Sequence, residues 1–100
     1  MKLLKDSDVY IIVEKFKRYP TDAVIEHSYQ DIQKVRVKEL PGKAFREYKL
    51  ISNGKIYWRS RKDIYETYAE AVEVAERNAD RWDNIWLELM GYKTLRPWRV

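Results

Sequence analysis

The sequence predicts an α+β domain: a helical N-terminal region, a three-stranded antiparallel β-meander, and a long C-terminal amphipathic helix packed on one sheet face. Three observations predict it. Asn53-Gly54 lies between two runs rich in β-branched and aromatic residues. Val35-Arg36-Val37-Lys38 alternates apolar and charged side chains just upstream. Thr67 and Glu70 form a capping box at the head of an apolar stripe with helical spacing.

Residues 1–33 admit two readings. Val9, Ile12, Val13 and Phe16 fit one face of a helix capped by Ser7 and ended before Pro20; Ile25, Tyr29 and Ile32 fit a second helix capped by Thr21. Helices are the expectation. The alternative is a buried strand at Val9-Tyr10-Ile11-Ile12-Val13, whose β-branched side chains favour extended backbone.

The meander begins with the alternating run Val35 to Leu40. Pro41-Gly42 fits the centre of a type II turn, with Pro presetting φ and Gly accepting a positive φ. Phe45 to Ile51 is then the return strand. Asn53-Gly54 supplies the two residues of a type I′ hairpin, leading into Ile56 to Ser60. A two-residue loop sets Ile51 opposite Ile56, Leu50 opposite Tyr57 and Lys49 opposite Trp58. One face then carries Ile51, Ile56 and Trp58, and the other Tyr48, Leu50 and Tyr57.

In the helix, Val72, Ala75, Ala79, Trp82, Trp86 and Leu89 recur at intervals of three and four, with Glu73, Arg77, Asp80, Asn84 and Glu88 opposite. Small residues in its first half allow close approach to the sheet, and the Trp82/Trp86 pair is expected in the core. Gly91 is a natural terminator. Trp98, between Arg96-Pro97 and Arg99, either folds back on the core or stands free as a partner anchor.

One hundred residues make one domain, 1–100. Four Trp, eight Tyr and two Phe provide a small chain with large apolar surfaces to bury. There is no cysteine, which excludes disulfides and thiolate chemistry. No apolar run approaches the roughly 20 residues of a membrane span, and the first residues lack a signal-peptide core, so a cytoplasmic protein is expected.

Enzymatic constellations are missing from the pattern. His27 is the single histidine, and none of Ser7, Ser28, Ser52 or Ser60 sits in a nucleophile elbow. The pairs Asp6/Asp8 and Asp80/Asp83 lack the supporting ligands of a metal site. With glycine only at 42, 54 and 91, no phosphate-cradling loop exists. A non-catalytic protein with no cofactor and no metal is expected.

Charge is unevenly distributed. Residues 1–33 hold five Lys/Arg against six Asp/Glu, 34–62 ten against two, 63–90 two against eight, and 91–100 three against none. The basic third coincides with the meander and is interleaved with aromatics. Cations displace counterions from phosphates, and aromatic faces stack on exposed bases. Arg36, Lys38, Arg46, Lys49, Arg59 and Arg61 are the candidate phosphate contacts, and Tyr57 and Trp58 the candidate stacking rings.

The segment from Phe45 to Trp82, a Gly-turn hairpin followed by a Thr-x-x-Glu-Ala helix, is similar to units in the AP2-like DNA-binding arms of phage integrases and in small bacterial and phage proteins. The order helix, three strands, helix also resembles the double-stranded-RNA-binding domain. That family has a Lys-rich start to its last helix, whereas Thr67-Tyr68-Ala69-Glu70-Ala71-Val72-Glu73 is acidic. These likenesses cover under half the chain and rest on structural motifs.

The functional expectation is a small protein that binds, or associates with, nucleic acid through a basic aromatic sheet face. The alternative is a protein–protein interaction module, such as a phage-encoded, anti-CRISPR-like inhibitor of a host nucleoprotein machine. Its partner would be an acidic or nucleic-acid-binding protein surface.

Overall fold

The computed structural model describes residues 3–19, 25–79, 85, 89–91 and 96–98, with backbone alone for 17–19 and 25–28. Its architecture is a four-stranded antiparallel sheet in the order β1-β2-β3-β4, followed by one helix. The strands are β1 (Asp8–Tyr19), β2 (Ile25–Glu39), β3 (Tyr48–Ser52) and β4 (Lys55–Arg59), and the helix is α1 (Tyr68–Ala79). No helix among the described residues is long and apolar enough to cross a membrane.

Two expectations about the fold are overturned. The N-terminal region is not helical, and the sheet has four strands rather than three. Val9, Ile12, Val13 and Phe16 have helical spacing, but Val9, Ile11 and Val13 also alternate with period two. The second pattern wins because a partner lies alongside: β1 pairs with β2 from Asp8↔Arg36 to Tyr19↔Ile25 without a break. Residues 25–33, expected as a second helix, are the first part of β2. Thr21, the cap expected there, and the Trp82/Trp86 pair lie outside the described residues.

The hairpin at Asn53-Gly54 is as read. Asn53 has φ 49° and Gly54 φ 79°, and Ile51↔Ile56, Leu50↔Tyr57 and Lys49↔Trp58 are paired. A Cβ on Gly54 would meet no atom within 4 Å, so Gly54→Ala is resisted by backbone conformation alone. It is expected to cost about 1–2 kcal/mol in a thermal or urea unfolding series. The link from β2 to β3 differs from expectation. Gly42 has no positive φ, its N–H bonds Phe45 O at 2.8 Å, and β3 begins at Tyr48 rather than Phe45.

The sheet curls. After β4 the chain makes a 3₁₀ turn, Arg61–Asp63, and Tyr65 then pairs with Tyr10 on the outer edge of β1, exchanging two 2.8 Å backbone bonds. In a flat sheet that edge lies four strand spacings from β4, about 19 Å. The intervening residues reach only about 16 Å when one turn is 3₁₀. Curling brings the two ends together and encloses the core of Leu3, Val9, Ile11, Val35, Val37, Tyr48, Leu50 and Ile64, with Val13 and Tyr57 packed against it.

α1 covers the opposite face of the β1–β2 ribbon. Tyr68 meets the Tyr10 ring edge-on at 5.7 Å, and Asn78 Nδ2 donates to Gln30 Oε1 at 2.9 Å. Ala71, Ala75 and Ala79 are its buried side chains: Ala75 and Ala79 are on the predicted stripe and allow close approach, while Val72, also expected there, is half-buried and Ala71 is buried instead. Leu89, placed on the same stripe by spacing, is exposed. Thr67 Oγ1 accepts from Glu70 N at 3.2 Å, and the Glu70 carboxylate reaches back to Glu66 N at 3.3 Å, one residue beyond the usual partner. Gly91 has φ 86°, as a helix terminator requires.

Trp98 does not stand free. Its Nε1 donates to Glu76 Oε1 at 2.8 Å, while buried Arg96 donates Nη1 to Glu76 Oε2 at 2.6 Å and Nη2 to Ala79 O at 3.4 Å. The tail is thereby fastened to the far half of α1.

Candidate nucleic-acid interface

Strand parity builds the site. In β2, Val35 and Val37 enter the core, so Lys34 and Arg36 point the other way. The register Arg36↔Ile51↔Ile56 carries that outward face across β3 to β4. Lys49 and Trp58, paired with each other, lie on it two residues further along. α1 reaches this face near Tyr10 and Gln30; Lys34 is the cross-strand partner of Tyr10 at the margin of that contact, and Lys34, Arg36 and Trp58 are exposed.

Trp58 is 37% exposed and Phe45 65% exposed, with ring centroids 5.5 Å apart and planes inclined at 31°. Lys49 Nζ lies 5.9 Å from the Trp58 ring centre. Lys38 is exposed at an irregularity in β2 between Val37 and Glu39, and Arg46 is exposed beside Phe45 in the link. An open groove of about 480 Å³ lies where β2 passes the end of the β3–β4 hairpin, lined by Asp8, Gln33, Lys34, Val35, Arg36, Ile51, Ser52 and Asn53, and does not reach Lys49, Phe45 or Trp58.

The acids on this wall are fewer than its cations and held loosely. Asp8 is shared between Arg36 at 3.5 Å and Lys34 at 3.8 Å, and Glu39 lies 3.8 Å from Lys49. Pairs of this length at the surface contribute only about 0.2–1 kcal/mol, so a phosphate can replace the carboxylate at little cost.

The structure thus gathers Arg36, Lys38, Lys49 and Trp58 of the predicted residues and adds Lys34, with Arg46 in the adjoining link. It separates three others. Tyr57 turns toward the core, and Arg59 lies over it at 5.6 Å on the same side of the sheet. Arg61 is in the 3₁₀ turn, where it donates to Ile64 O at 2.7 Å and Glu66 Oε1 at 3.1 Å. Neighbours along a strand face opposite ways, so Tyr57 and Trp58 cannot form one stacking surface. Phe45 was missed because it lies in an irregular link where no period marks it.

On the inner face Lys15 Nζ meets Asp31 Oδ2 at 2.6 Å, and this hydrogen bond holds the Lys15 pKa above the ordinary lysine value. Burial raises the Tyr65 phenol, whose backbone closes the curl. His27 lies in β2 rather than on a helix. Among the described residues no three His, Asp or Glu side chains converge as metal ligands would. No protein-family model matches the chain, and no curated protein or solved structure matches it.

Proposed function

We propose that this chain is a small non-catalytic protein that binds single-stranded nucleic acid on the outward face of β2, β3 and β4. The carrying observation is the exposed Phe45–Trp58 pair on the same uncovered face as Lys34, Arg36 and Lys49. A stacking ring needs a base that is already unpaired, which favours single strands over duplexes. The loose ion pairs leave these cations available to phosphates.

Binding of a short fluorescent oligonucleotide, DNA or RNA, is expected to weaken steeply with salt. Four phosphate contacts, from Lys34, Arg36, Lys38 and Lys49, give a log–log slope of about −3 for a single strand. Trp58→Ala is expected to cost about 1–3 kcal/mol of binding while leaving that slope unchanged. Absence of binding at about 50 mM salt overturns the proposal.

A protein partner is the second reading. Ile56 is 56% exposed on the same face of β4 as Trp58, and such apolar surface serves a protein better than a phosphate chain. Capture from lysate that persists after nuclease treatment separates this reading from the first.

A further inference from the structure

β4 ends the sheet, and no described strand pairs with its second edge. The hairpin closes at Ser52↔Lys55, so the ladder bonds within it fall at Ser52↔Lys55, Leu50↔Tyr57 and Tyr48↔Arg59. Ile56 and Trp58 therefore turn their backbone N–H and C=O groups to the open edge. Among the described residues no backbone group bonds them there. The Trp58 carbonyl accepts one bond, from Arg59 Nη1 at 2.9 Å, and retains a second lone pair.

The edge strand Lys55-Ile56-Tyr57-Trp58-Arg59 has a cation at each end and no acid. A second copy pairing antiparallel about Tyr57 would set Lys55 opposite Arg59 twice. Like charges directly opposite in a sheet are destabilising, and cationic edges are a common defence against self-pairing. The same two cations attract a strand with carboxylates at the matching positions. Lys55 and Arg59 lie on one side of β4, and Ile56 and Trp58 on the other. A complementary strand thus alternates acidic and apolar side chains.

We infer that the open edge of β4 takes an extended, alternating acidic–apolar segment of a protein partner as a fifth strand. This rests on the protein-partner reading and specifies its chemistry. Main-chain bonds to Ile56 and Trp58 supply affinity, the Lys55 and Arg59 charges select acidic sequences, and Ile56 and Trp58 contact the apolar side chains.

The test uses the full chain and a fluorescent peptide alternating Glu and Val, blocked at both ends. Two companions are a Lys–Val peptide and the Glu–Val peptide with its valine amides N-methylated. The Glu–Val peptide is expected to bind, and each companion to bind at least about tenfold more weakly. Ile56→Pro removes an outward N–H and replaces the isoleucine side chain without breaking a ladder bond to β3, and proline is tolerated at such edge positions. It is expected to weaken the Glu–Val peptide about tenfold while retaining a cooperative thermal transition.

Equal binding of the N-methylated peptide overturns the inference, because charge alone would then explain the attraction. Equal binding of the Lys–Val peptide, or a dimer that Ile56→Pro dissolves, also overturns it. If the Glu–Val peptide fails while a protein from lysate is still captured after nuclease, the edge assignment falls and the protein-partner reading stands. If both fail, both fall.

Discussion

Leu50→Ala is expected to lower the free energy of unfolding by about 3–4 kcal/mol. Leu50 is 0% exposed in the middle of the short strand β3, with Val37 opposite on one side and Tyr57 on the other. Its side chain fills the interior of the curl, where Val9, Ile11, Val35 and Ile64 also converge. Truncation removes three carbons and leaves a cavity, because hydrogen-bonded ladders on both sides of β3 restrain collapse. A domain with about 5–15 kcal/mol of total stability would lose a large fraction of it. Urea denaturation at unchanged slope measures the loss, with exposed Leu4→Ala as a control expected within about 0.5 kcal/mol of wild type. A cost for Leu50→Ala below about 1 kcal/mol would mean that the sheet does not close around this residue.

Glu76→Ala is expected to cost about 3 kcal/mol, the second largest effect. One carboxylate receives Arg96 on one oxygen at 2.6 Å and the Trp98 indole on the other at 2.8 Å. Arg96 is 6% exposed, so removing its carboxylate partner leaves a guanidinium cut off from bulk water. Exposed Glu73 lies one turn earlier on α1, and Glu73→Ala is expected within about 0.5 kcal/mol of wild type. Equal effects of the two substitutions in the same denaturation series would show that the tail is not fastened through Glu76.

The parts of the fold legible in the sequence are those fixed by local chemistry. Asn53-Gly54 supplies two residues suited to positive φ, and a two-residue loop leaves one register for the flanking strands. Thr67 and Glu70 mark the start of α1 because the capping bonds span one turn. The N-terminal strands were obscured by long-range pairing. Val9 to Val13 fits periods of two and 3.6 alike, and its partner begins many residues later. Ile25-Glu26-His27-Ser28-Tyr29-Gln30 is polar and irregular as a pattern, and is a strand because β1 lies beside it. Arg96 as a buried partner of Glu76 left no trace in either local sequence.

The candidate interface was half legible for the same reason. Once the register is known, parity alone groups Arg36, Lys49 and Trp58 and places Tyr57 and Arg59 on the reverse side. Phe45 joins Trp58 through the course of an irregular link, and Arg61 leaves this wall through a 3₁₀ turn. Basic composition points to the central third of the chain, and strand geometry decides which of its cations share a wall.

The most direct measurement is an amide proton–nitrogen correlation spectrum recorded while a short single-stranded oligonucleotide is added. Progressive shifts are expected at Lys34, Arg36, Lys49 and the Trp58 indole, with Glu73 and Arg77 on the exposed side of α1 unmoved. Shifts confined to α1, or a spectrum that does not change at low salt, would contradict the proposed binding.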